Sequence, residues 1–143
     1  MSLTRSMSRS MPRLVAGLVV AGVVLVVGVS ETPGQTVCAT LTTTLSGQPP
    51  VQQALKLVVS SPVAGVPIIE LAGQVVASGE LLWGSAALLP GGGSARVGLT
   101  VSNLDRPRFM GLLIDLATAG GTGVFAQMDG SAGTATIQFG PCP

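Results

Sequence analysis

Apolar and polar positions alternate with a period of two along several stretches of the chain. The clearest is residues 36–45, where Val37, Ala39, Leu41, Thr43 and Leu45 share one face and Cys38, Thr40, Thr42 and Thr44 the other. Successive side chains of a strand leave opposite faces, so this pattern predicts a half-buried strand, and the wealth of threonine suits a pleated surface. Ser46-Gly-Gln-Pro-Pro50 then breaks it. Residues 96–102 repeat the pattern, with Val97, Leu99 and Val101 set against Arg96, Gly98, Thr100 and Ser102. In the C-terminal third, residues 124–128 and 134–139 read as strands joined by Asp129-Gly130-Ser-Ala-Gly133, a hairpin loop with the glycine that positive φ requires.

Three other stretches fit both a strand and a helix template. Residues 51–60 place Leu55, Leu57 and Val59 together as a strand, or Val51, Ala54, Leu55 and Val58 together as a helix opened by Pro50. The Val58-Val59 pair and the following Ser-Ser-Pro favour the strand. Over residues 66–89, Pro67 followed by Ile68, Leu71, Ala72, Val75 and Val76 has helical spacing. Gly73, Gly79 and Gly84 argue against it, each costing a helix about 1 kcal/mol relative to alanine. The expectation is two short strands, 66–71 and 79–88, flanking a turn or a short helical piece. Residues 107–119 make a helix if Asp105 caps it and Pro107 opens it, with Phe109, Leu112, Leu113 and Leu116 on one face. As a strand they turn Met110, Leu112, Ile114 and Leu116 to the core and Gly111 and Asp115 outward, and the surrounding strands favour this reading. Many short runs separated by Gly, Pro and Ser turns predict a mainly β fold, a small antiparallel sandwich or barrel. The alternative is an α+β fold with helices near 67–78 and 107–119.

The N-terminus breaks the pattern altogether. Residues 14–29 carry only Leu, Val, Ala and Gly and follow Arg5, Arg9 and Arg13, a cationic region before an apolar one, which is the form of an export signal. As a helix, sixteen residues span about 24 Å, short of the roughly 30 Å hydrocarbon core, which favours a signal peptide over a retained anchor helix. Cleavage is expected before Glu31, after Gly28-Val29-Ser30; if the segment is retained, residues 14–29 supply a membrane contact. Gln35-Thr36-Val37 before Cys38 is no lipobox, so lipid attachment there is not expected. The chain divides into a signal or anchor over 1–30, a linker over 31–35 and a single exported domain over 36–143, extracytoplasmic and either secreted or held at the membrane facing out.

Export changes the meaning of the two cysteines. Cys38 and Cys142 bracket the domain, and an oxidising compartment joins them in a disulfide. Charge is scarce: residues 31–143 hold Lys56, Arg96, Arg106 and Arg108 against six acids, a net charge of −2. That excludes a nucleic-acid partner, which needs clustered Lys and Arg. It also leaves the surface to Ser, Thr, Gly, Gln and apolar atoms, a composition that favours association.

The chain has no histidine, which removes Ser-His and Cys-His nucleophile pairs, and two cysteines alone do not complete a zinc shell. The glycine run Pro90–Ser94 lacks the Lys and the strand-to-helix setting of a phosphate loop and reads as a hairpin tip. The carboxylates Glu70, Glu80, Asp105 and Asp115 are scattered and read as solubilising rather than as an acid–base pair. Neither catalysis, metal nor cofactor is expected. Trp83, the only tryptophan, reads first as a core residue and second as an interfacial aromatic. Arg106 and Arg108, flanking Pro107, read as a solvated turn that can also hold an anion or a partner's carboxylate. The functional expectation is a non-catalytic envelope module that assembles with itself or with another envelope protein. The alternative is a carrier of an apolar ligand such as a lipid, held between sheets lined by Val, Leu, Ile and Trp83.

Overall fold

The computed structural model describes residues 15–20, 23–28, 32–61, 65–102 and 107–143. Regular structure among them is strand throughout: β1 (Val15–Val20), β2 (Val23–Gly28), β3 (Thr32–Leu45), β4 (Val51–Ser61), β5 (Ile68–Val75), β6 (Leu81–Leu88), β7 (Ser94–Ser102), β8 (Arg108–Asp115), β9 (Gly120–Gln127) and β10 (Ala132–Gly140). Of the expected signal or anchor helix over 14–29, residues 15–20 and 23–28 are described, as β1 and β2, which pair with each other as a separate hairpin; the rest of residues 1–31 lies outside the described residues.

Strands β3 to β10 form a closed barrel, each antiparallel to the next, with β10 returning to pair with β3. Of the expected sandwich or barrel, the barrel is the outcome. The helices considered near 67–78 and 107–119 are strands β5 and β8. β3 begins at Thr32, so most of the expected linker is already strand, with a register irregularity between Thr32 and Gln35.

Closure follows from the pattern. Residues of one parity on every strand are buried: Val37, Ala39 and Leu41 on β3, Leu55 and Leu57 on β4, Val97 and Leu99 on β7, Met110 and Leu112 on β8, Ile137 and Phe139 on β10, all members of one apolar cluster. Followed from strand to strand through the pairings, the level of Leu41 returns to β3 ten residues further along. That stagger tilts the strands, and an eight-stranded barrel is just wide enough for side chains to fill it. Among the residues whose burial is described, the apolar core lies within residues 37–139.

A cylinder this narrow bends its strands sharply, and Gly84 shows how. It sits between the inward Leu82 and Ala86, where a Cβ would lie 1.9 Å from the carbonyl oxygen of Gly98 on β7. Only glycine lets β6 and β7 approach so closely. The expected hairpin loop over 129–133 is also present: Gly130 has φ 86°, and Asp129 Oδ1 accepts a hydrogen bond from the Ser131 amide at 2.9 Å.

At the seam, Gly140 pairs with Cys38, and two residues later Cys142 closes a disulfide to it with a Cα–Cα distance of 5.0 Å. Cys38 points away from the core, opposite in parity to Val37 and Ala39, so the clasp lies on the outer wall where first and last strands meet.

Two outcomes are expected in thermal denaturation. Gly84→Ala should cost about 2–3 kcal/mol of stability through overpacking, whereas Gly98→Ala, whose Cβ would meet nothing within 4 Å, should stay within about 0.5 kcal/mol; equal effects would refute the close-approach account. Cys142→Ser removes a link across 104 residues and should lower stability by up to about 4 kcal/mol, with the strand signal in circular dichroism retained in the cold.

Candidate interaction surface

The outer wall follows from the same parity. Cross-strand pairing lines up Val58 on β4, Ala72 on β5, Trp83 on β6, Thr100 on β7 and Phe109 on β8 in one outward row. Trp83 is 50 % exposed and Phe109 48 %. The expectation of a core tryptophan is therefore corrected: Leu82 and Gly84 take the inward positions, and Trp83 between them faces out. Leu81, two residues along on the same face, is 62 % exposed and extends the apolar patch.

A second row runs beside the first, nearer the disulfide end: Ser60, Glu70, Ser85, Gly98 and Gly111. A depression between the two rows is lined by Val58, Ser60, Glu70, Ala72, Trp83 and Ser85. On the other side of the first row lie Lys56 and Gln74, a cross-strand pair. Lys56 and Glu70 are exposed, and neither side chain has an ion-pair or hydrogen-bond partner among the described residues. Away from Trp83 the wall turns hydroxylic, with Thr122, Thr136 and Thr42 in line across β9, β10 and β3.

This wall is not built to face lipid all round. Transmembrane barrels turn an apolar band outward and polar groups inward. Here the interior is apolar, and the outside carries Lys56, Glu70, Arg96 and Asp115 among threonines and glutamines.

Arg108 is spoken for. It shares the inward parity of Met110 at the end of the barrel away from the disulfide, where its Nη2 donates to Glu80 Oε2 and its Nη1 lies 3.4 Å from Gln53 Oε1. The side chains of Arg108 and Glu80 are only 16 % and 18 % exposed. Three strand ends thus converge in a polar cap over the apolar core, and the guanidinium serves the fold rather than standing as a free anion clamp. Arg106, expected beside it, lies outside the described residues, as does Asp105. The structure does not bring Trp83 and Arg108 together: one faces out from β6, the other inward at a barrel end.

The remaining carboxylates are dispersed. Glu70 is on the wall, Glu80 in the cap, and Asp115 Oδ1 accepts the Ala117 amide at 2.8 Å in the turn after β8. Among the described residues no cluster of three or more His, Cys, Asp or Glu side chains is placed to hold a metal. Sequence reasoning missed the apolar row itself. Only the pairing register assembles it, although the outward positions of each strand were already readable once its parity was known. No protein family, characterised protein or solved structure matches this chain.

The cap yields a measurable coupling. In a double-mutant cycle of Arg108→Ala and Glu80→Ala by chemical denaturation, the interaction energy should be about 1–2 kcal/mol, above the range of exposed pairs. A coupling near zero would mean that the pair does not hold the barrel end.

Proposed function

We propose that the barrel is a non-catalytic interaction module, exported by its N-terminal segment and working in the cell envelope, either secreted or anchored facing out. The observation that carries this reading is the exposed apolar row centred on Trp83, on a surface otherwise short of charge. Half-exposed aromatics aligned by register on a rigid barrel are costly to leave in water and cheap to dock, since they lose little freedom on contact. The disulfide fits the oxidising compartment that export implies. The partner under this reading is an envelope protein or a further copy of the chain.

The alternative, carriage of a lipid or another apolar ligand, has less support. Leu41, Leu55, Leu57, Leu82, Val75 and Val101 are almost fully buried inside the barrel and occupy the space such a ligand would need.

The test uses the single tryptophan as its own reporter. On titration with envelope fractions, Trp83 emission should shift to the blue and become protected from acrylamide in the fraction holding the partner. Trp83→Phe should reduce retention of that fraction's component, and Trp83→Ser should abolish it. No shift with any fraction, together with unchanged retention by Trp83→Ser, would refute the reading. Native mass spectrometry of gently extracted protein decides the alternative, because a carrier brings its lipid and an interaction module does not.

A further inference from the structure

We infer that the Trp83 wall is the contact surface between two copies of this chain, related by a two-fold axis that runs along the part of the row on three adjacent strands, Val58–Ala72–Trp83. The inference rests on the reading of this wall as an interaction surface and names its occupant.

Charge placement is the first argument. Lys56 flanks the row on one side and Glu70 on the other, on the adjacent strands β4 and β5. Lys56 pairs in register with Gln74, four residues along β5 from Glu70, so the two charges stand about 13 Å apart along the strand direction and do not meet. A two-fold interface is self-complementary: each patch meets its own copy, turned. An axis along the row lays the row on itself, with Trp83 against the partner's Trp83, and exchanges the two flanks. Lys56 then faces the partner's Ser60, whose cross-strand neighbour is Glu70. The same contact recurs on the other side of the axis. Two charges left single in one copy become two ion pairs in the dimer, at the rim of an apolar centre.

Bare backbone is the second argument. Gly98 and Gly111 are directly paired, face outward beside Trp83 and Phe109, and a Cβ on either would meet nothing within 4 Å. Neither is needed for packing within the barrel, unlike Gly84, yet a strand glycine costs stability. Glycines of this kind mark a place where another surface comes close. The small net charge of the chain, +1 in all, adds little repulsion between copies.

The protein as recovered from expressing cells is the material for the test. Sedimentation velocity across a concentration series should show a reversible monomer–dimer equilibrium, with Trp83 emission shifting to the blue as the dimer forms. K56E and E70K should each raise the dissociation constant about tenfold or more, and the double swap K56E/E70K should bring it back to within about threefold of the parent. Trp83→Ser should abolish the dimer, with melting temperature and circular dichroism confirming that every variant is folded. A barrel that stays monomeric at the highest concentration, or a dimer indifferent to Trp83→Ser, overturns the proposal, as does a double swap no better than the single reversals. A monomeric barrel that still loses its envelope component on Trp83→Ser would overturn self-association and leave the broader interaction reading standing.

Discussion

Everything in this molecule depends on the pairing of its last strand with its first. An open sheet of eight strands would expose two edges of unpaired amides and carbonyls, and its apolar face would need a second layer to cover it. When β10 meets β3 the edges vanish and the sheet covers its own apolar face. Interior and exterior are then set by parity alone. Filling the interior with Leu, Val, Ile, Met and Phe and giving the exterior Thr, Gln and a few charges is one decision made residue by residue along each strand. The cost is curvature, which inward glycines such as Gly73, Gly84 and Gly123 meet.

Much of this was legible in the sequence where alternation was clean. Residues 36–45 and 96–102 carry apolar side chains on one parity only, and both are strands with that face buried. The doubtful stretches were those apolar on both parities. In Leu-Leu-Trp-Gly-Ser-Ala-Ala-Leu, Leu81 and Leu82 compete for the interior, and the largest aromatic looks like the better core residue. The interior position beside it is taken by Gly84, a residue with no side chain to bury, so residue type misled where parity was silent. Residues 67–78 and 107–119 satisfied helical spacing equally well. What decided them was pairing with partners distant in sequence, which no local window contains. The same holds for Arg108, whose carboxylate partner lies 28 residues away, just before β6.

The surface follows a different logic from the core. With few charges to spend, the outer wall mixes threonine and glutamine with small and apolar residues; register lines up Val58, Trp83 and Phe109 in one row, while Ile68, Leu113 and Val124 are exposed elsewhere on the wall. An exposed aromatic on a flexible loop can turn inward or be shielded by its neighbours, but Trp83 sits on a strand held on both sides, with its backbone fixed by the barrel. That rigidity makes the row a surface of defined shape, with Lys56 and Glu70 at defined places on its flanks.

The seam also decides how the molecule carries load. A pull on the N-terminus enters the chain at Thr32 and, within six residues, reaches Cys38, which is bonded covalently to the far end of the chain. The first strand cannot be peeled away past that point unless the end of β10 travels with it. Tension applied between the two ends crosses from Cys38 to Cys142 through the disulfide, so the strands between them carry none of it. By this one clasp the barrel is a mechanically closed ring.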